Sequence, residues 1–138
     1  MKQVWIQKFN PTFIRADGIV VISDETIPLP VGFRPDSRLR STSIFPSHTR
    51  AGDHYHQKRT EVFVGLGAGM QLLIENPDDN QVKKYWMDPS KNEGMWVAFG
   101  VEPGLPHAVI NVSETEGVLL ELANVALEKV DRRIEVDE

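Results

Sequence analysis

Apolar and polar positions along the chain alternate in short runs rather than in long helical stripes. Nine β-like runs stand out: Val4–Phe9, Gly18–Ser23, Ser41–Phe45, Glu61–Leu66, Met70–Glu75, Val82–Met87, Met95–Phe99, Ala108–Val112 and Val118–Ala123. They are rich in Val, Ile, Phe and Trp, side chains that suit a pleated surface. Turn residues separate most of them at intervals of roughly 8–12 positions, the spacing of a sandwich or barrel. Asn76-Pro77-Asp78-Asp79-Asn80 reads as a hairpin connection and Pro103-Gly104-Leu105-Pro106 as a tight turn. No segment sustains the i, i+3, i+4, i+7 apolar spacing of an amphipathic helix. Leu119–Val130 is the one helix candidate, and Gly117–Leu122 reads better as a buried strand. The pattern predicts an all-β fold, a closed or double-sheeted barrel of the jelly-roll kind. Alternate residues of several strands then converge on its interior.

At 138 residues the chain has the length of one ordinary domain, so a single domain over 1–138 is expected. A net charge of −5 and a pI near 5.4 argue against nucleic-acid binding, which needs a concentrated basic face. There is no cysteine. That excludes a disulfide scaffold, a thiolate zinc site, an iron–sulfur cluster and a cysteine nucleophile. Any metal must be held by nitrogen and oxygen ligands. The stretch Met1–Phe13 has no apolar core long enough for a signal peptide. No stretch approaches the roughly 18 apolar residues of a membrane span. A cytoplasmic protein without membrane contact is the default expectation.

Candidate chemistry concentrates in Gly52-Asp53-His54-Tyr55-His56-Gln57-Lys58-Arg59-Thr60-Glu61. Two residues of a strand that are two apart share a face, with α-carbons roughly 6–7 Å apart, so His54 and His56 can reach one ion from neighbouring directions. Glu61 lies at an odd offset from His56, and on one continuous strand it would face the other way. The polar Gln57-Lys58-Arg59 insert can reverse the chain, so that Glu61 opens the next strand and faces inward. His107 follows the Pro103–Pro106 turn and opens a further β-like run that ends near Asn111. Three of the chain's four histidines thus fall in one constellation with a carboxylate. Such a donor set suits Zn, Fe, Ni, Co or Mn, with one or two positions left for water or substrate. The same side chains can also serve as acid and base in a metal-free cavity.

These residues resemble the cupin superfamily, whose first motif carries His-x-His followed by Glu and Gly and whose second carries Pro-x-Gly-x-x-His-x-x-x-Asn. Here the first reads His54-Tyr-His56, four residues, Glu61, and the second Gly104-Leu-Pro-His107-Ala-Val-Ile-Asn111, within a motif core of about 40–124. Pro103 stands one place late and Gly67 one place early for the family pattern. The resemblance implies a double-stranded β-helix barrel and maps the family's metal-ligand positions onto His54, His56, Glu61 and His107. Ser43-Ile-Phe-Pro-Ser-His-Thr-Arg50 with the following Ala-Gly-Asp-His-Tyr-His is similar to cupins of sugar-nucleotide metabolism. Among these are the metal-binding cupin of capsular polysaccharide reductases and the deoxysugar ketoisomerases and epimerases, which often work without metal.

Three functions follow as expectations. The first is a metal-dependent isomerase or epimerase of a sugar or sugar nucleotide, with His48 or Glu61 moving the proton and Arg50 binding a carboxylate or phosphate of the substrate. The second is a non-haem dioxygenase, its apolar lining supplied by Phe63, Met70, Leu72 and Trp96. The third is a ligand-binding or sensing module without chemistry, which a sealed cavity would favour. Tyr55 is expected to face away from the ion, and Trp86 and Trp96 to pack in a core or interface. The charged tail Glu128–Glu138 is expected as a solvated strand or an exchanging arm. A homodimer is expected, with the Lys2–Phe9 strand as one means of pairing.

Overall fold

The computed structural model describes residues 3–136. Its strands are β1 (Trp5–Phe9), β2 (Phe13–Ile14), β3 (Val20–Val21), β4 (Ser41–Phe45), β5 (Arg50–Tyr55), β6 (Glu61–Leu66), β7 (Met70–Glu75), β8 (Val82–Trp86), β9 (Trp96–Val101), β10 (His107–Asn111), β11 (Gly117–Ala123) and β12 (Val130–Asp131). Short 3-10 turns at Asp24–Thr26, Ser37–Leu39 and Pro89–Lys91 are the only helical pieces among the described residues. The architecture is therefore all-β, as the periodicity predicts. One five-stranded sheet runs β1-β9-β6-β11-β4 and a second runs β12-β5-β10-β7-β8, every pairing antiparallel.

The period-two alternation sets three layers. Phe63, Met70, Leu72, Ile74, Val97, Phe99, Val101, Val109 and Leu119 point between the sheets and form the barrel core. Val62, Val64, Ala98 and Leu122 point outward from the first sheet and are covered by Phe9, Ile27, Trp5, Ile22 and Phe33 of the amino-terminal region. Leu73 and Ala108 point outward from the second sheet and are covered by Ile134. Both faces of β6 and β7 are thus buried, which explains why those strands read as nearly unbroken apolar runs. Gly65 faces inward against Met87, where an added Cβ would lie 2.1 Å from the sulfur.

Four departures from the predicted elements have physical reasons. β5 was not among the apolar runs, because Arg50-Ala-Gly-Asp-His-Tyr is mostly polar. The Gly18–Ser23 run contributes only Val20–Val21, paired with an unpredicted β2 in a small separate sheet. The Leu119–Val130 helix candidate resolves into the end of β11 and a loop leading to β12. The charged tail is in part the solvated strand expected, with Asp131, Arg132, Arg133 and Glu135 exposed, but it is anchored: β12 pairs with β5 and Ile134 is 1% exposed. Asp137 and Glu138 of that tail, and Lys2 of the amino-terminal arm, lie outside the described residues.

Candidate metal centre

The side chains at 54, 56, 61 and 107 meet at one end of the barrel. β5 and β10 pair with His54 opposite His107, and the register shifts immediately after His107. The shift coincides with Gly52 and Asp53, both at positive φ, +97° and +59°. A Cβ at Gly52 would sit 2.9 Å from the His107 carbonyl oxygen, so only glycine permits this close crossing. Such a bulge re-aims the side chains beside it. His56 lies just beyond the end of β5, and Glu61 opens β6 on the inward face, as the chain reversal at Gln57–Arg59 predicts. The Gly104 N–H donates to the His56 carbonyl at 2.8 Å, tying the second motif's turn to the first motif.

The three imidazole centroids stand 4.8, 4.9 and 5.2 Å apart. The candidate ligand atoms of the three histidines and Glu61 all lie within 4.8 Å of one another. His56, Glu61 and His107 are buried and His54 is partly so. His107 Nδ1 donates to the Leu105 carbonyl at 2.9 Å, and His56 Nδ1 donates to the Glu128 carbonyl. A carbonyl oxygen only accepts, so each Nδ1 carries a proton and Nε2 is the atom each ring can offer an ion. Both of those nitrogens face Glu61 Oε1, at 2.9 Å from His56 and 3.2 Å from His107. The His107 contact lacks the alignment of a hydrogen bond, and His54 Nδ1 is also buried without a partner among the described residues. Lone pairs crowded on a carboxylate oxygen repel unless a cation sits among them. The donor set therefore fits a divalent ion held by nitrogen and oxygen.

The charges of the cluster act strongly on one another. Burial, followed by the neighbouring His107 and His56, pushes His54 down to about 4, so its ring is neutral near neutral pH. Burial would lower His56 as well, but its contact with Glu61 overrides this and raises it. Burial would raise Glu61, yet the imidazoles of His107 and His56 hold it well below the usual carboxylate range.

Three further residues build the surroundings of the cluster. Arg59 is 5% exposed; it donates from Nε to Glu61 Oε2 at 2.8 Å and from a terminal nitrogen to Glu121 Oε2 at 2.7 Å. Glu61 thus has Oε2 bound by Arg59 and Oε1 turned to the imidazoles. Burial, then the charge of Glu61, raises Glu121, with Arg59 acting in the opposite sense. Glu128 accepts from the main-chain N–H groups of Gln57, Lys58 and Arg59. None of the three was singled out from sequence. Arg59 sat inside the motif, but Glu121 and Glu128 come from more than 60 positions away, and no local spacing links them to it.

A cavity of about 370 Å³ opens on the cluster. His54, Glu61, His107 and Glu121 supply its acidic and basic groups, Phe45, Phe63, Val109 and Leu119 its apolar wall, and Ser43 and Thr49 its hydroxyls. Ile44, at its rim, is exposed, so the cavity is not sealed. Other expectations need correction. His48 is in an exposed turn, 2.6 Å from Glu114, and is not part of the cavity wall. Arg50 reaches the wall, but its guanidinium is bound to both oxygens of Asp53 and to the Ile134 carbonyl. Of the apolar lining expected from Phe63, Met70, Leu72 and Trp96, only Phe63 is at the cavity. Met70 and Leu72 lie in the barrel core, and Trp96 packs on the outer face of the first sheet. Tyr55 pairs with Val130 and Trp86 stacks under the Lys91 ammonium, both away from the cavity.

The architecture matches solved structures at low sequence identity. One is the TDP-fucose-3,4-ketoisomerase WlaRA from Campylobacter jejuni, 15% identical, with 94% of this chain and 89% of that chain covered and a TM-score of 0.64. A second is a variant of the 3,4-ketoisomerase QdtA from Thermoanaerobacterium thermosaccharolyticum in complex with TDP-4-keto-6-deoxyglucose, 19% identical, covering 93% and 84%, TM-score 0.61. The fold is a cupin barrel. A third match is the capsular polysaccharide assembling protein CapF from Staphylococcus aureus, 17% identical, covering 69% and 26%, TM-score 0.60. The chain described here spans only 26–37% of the length of CapF chains. No family model and no curated protein matches the sequence.

Proposed function

We propose that this cupin is a metal-dependent isomerase or epimerase acting on the carbonyl form of a sugar or sugar derivative. The observation that carries the reading is the convergence of three imidazoles and a carboxylate, of which His54, His107 and Glu61 line an open cavity beside a separate, partly buried acid, Glu121. A divalent ion held by His54, His56, Glu61 and His107 would polarise a carbonyl oxygen and so acidify the neighbouring C–H. Glu121 faces the same cavity, and its raised affinity for protons suits it to accept that proton and return it at the former carbonyl carbon, while the proton of the neighbouring hydroxyl passes to the old carbonyl oxygen. Glu61 Oε2 is bound by Arg59 and its Oε1 faces the His56 and His107 imidazoles, so the proton-carrying role moves from it to Glu121. Phe45, Phe63, Val109 and Leu119 keep bulk water from the reacting carbon, while Ser43 and Thr49 offer hydroxyls to those of a sugar. The shared fold with ketoisomerases of TDP-sugars supports the substrate class. A cytoplasmic setting and a homodimer belong to the same proposal. Pairing is supported by the exposed Phe13, Ile14, Ile19 and Val20 on and beside the β2–β3 hairpin.

The test is incubation of metal-loaded protein with keto-sugars, free and nucleotide-linked, in deuterated water, alongside elemental analysis of untreated protein. Deuterium at the carbon next to the carbonyl, lost in Glu121→Gln with metal content retained, is the expected result. Iron with oxygen uptake and no deuterium exchange would replace this reading with the dioxygenase.

A further inference from the structure

The loop Gln57–Thr60 joins the two strands that bring His56 and Glu61 to the cluster. Three consecutive main-chain N–H groups of this loop converge on one carboxylate: Gln57 donates to Glu128 Oε1 at 2.8 Å, and Lys58 and Arg59 to Oε2 at 2.9 and 3.0 Å. Successive N–H groups gathered on an anion form a nest, which fixes the backbone that supplies them. The carbonyl of the same residue accepts from His56 Nδ1, so Glu128 grips the loop through its side chain and orients a ligand ring through its main chain. The segment carrying Glu128 is anchored independently. β12 pairs with β5, the Arg132 N–H donates to the Asp53 carbonyl at 2.7 Å, and the Ile134 N–H donates to Asp53 Oδ1 at 3.0 Å. The Arg132 guanidinium binds Glu75 at 2.9 and 3.1 Å, and Ile134 is buried against Leu73 and Ala108. The tail is thus the fixed point from which the ligand loop hangs.

We propose that Glu128 is a positioning residue of the metal centre: by gathering the Gln57, Lys58 and Arg59 N–H groups and holding His56 Nδ1, it fixes where His56 and Glu61 stand relative to each other and so sets the affinity for a divalent ion. The inference rests on the metal-centre reading of the cluster. Binding free energies are reciprocal, so an ion gripped by His56 and Glu61 in turn holds the loop against Glu128.

Co2+ is the probe, because its visible absorption reports its coordination. The dissociation constant is measured by competition with a chromophoric chelator for wild type, Glu128→Ala, Glu128→Gln and the distant control Glu93→Gln. Partners behind metal ligands set affinity by about 10–100-fold, so Glu128→Ala weakens Co2+ binding by that factor and alters its visible bands. Glu128→Gln, whose amide oxygen still accepts, falls between Ala and wild type, and the control is unchanged. In wild type, Co2+ slows hydrogen exchange at the Gln57, Lys58 and Arg59 amides. A lower melting temperature in Glu128→Ala with unchanged Co2+ affinity and spectrum would overturn the inference and leave the metal centre standing. If the Ala variant does not fold, wild-type affinity in Glu128→Gln has the same force. Failure of the wild-type protein to bind Co2+ would overturn the metal centre and this inference together.

Discussion

Replacing His56 with Ala removes one of four donors and its Nδ1 bond to the Glu128 carbonyl, but leaves the three N–H contacts of the loop with the Glu128 carboxylate in place. In the wild-type protein, an ion at a hundred times its dissociation constant stabilises the folded state by about 2.7 kcal/mol. For a chain of 138 residues each kcal/mol moves the melting temperature by roughly 3–5 °C, so metal should raise it by about 10 °C. If losing the imidazole weakens binding a hundredfold, the same ion concentration merely equals the dissociation constant. The stabilisation then falls to about 0.4 kcal/mol, or under about 2 °C. Truncating a side chain that is 1% exposed also leaves a cavity and lowers stability on its own. That penalty is common to the metal-free and metal-loaded forms of the variant, so the difference between them isolates the ligand. Calorimetric scans of both proteins with and without the ion, with elemental analysis of each, make the measurement. Full metal stoichiometry and an undiminished shift in His56→Ala would refute His56 as a ligand.

Two further outcomes follow from buried charges. Arg59→Leu strips the cation from between Glu61 and Glu121 and should destabilise the protein by about 3–5 kcal/mol in urea titration, since two carboxylates lose their shared partner; a loss below about 1 kcal/mol would contradict that role. Asp53 gives a pH signature. Burial would raise its pKa, but the Arg50 guanidinium and the Ile134 N–H override this and lower it. A carboxyl group depressed on folding stabilises above its unfolded value, near 3.9, and loses that contribution as pH falls through the folded value. The stability gap between wild type and Asp53→Asn, measured metal-free, should therefore be full at about pH 5 and shrink below about pH 4; a gap that stays constant or widens toward low pH would be inconsistent with the ion pair.

Much of the barrel is legible in the sequence because a period-two pattern has few other uses. Ser41–Phe45, Glu61–Leu66 and Met70–Glu75 carry enough Val, Ile, Leu and Phe to mark β4, β6 and β7 to the residue. The four converging donors are legible too, because His-x-His followed by Glu sits next to a strand start and His107 sits just after a proline turn. What sequence conceals is the wiring behind them. β5 is defined by its pairing with β10 and by the left-handed backbone at Gly52 and Asp53, and its side chains do not announce it. Arg59 reads as one more charge in a polar insert until its guanidinium is seen between Glu61 and Glu121. His48 and Arg50 illustrate the reverse. Nearness along the chain suggested roles at the cluster, but a left-handed turn carries His48 out to Glu114, and Asp53 claims the Arg50 guanidinium.

Glu61 belongs to the first sheet, whereas His54 and His107 belong to the second. An ion shared among them would rivet the two walls of the barrel at one rim, in a chain with no cysteine to cross-link them covalently. β1 and β8, edge strands of the two sheets, contribute no donor to the cluster. Loading an ion would therefore stiffen the molecule unevenly, clamping the two sheets at the rim that faces the cavity.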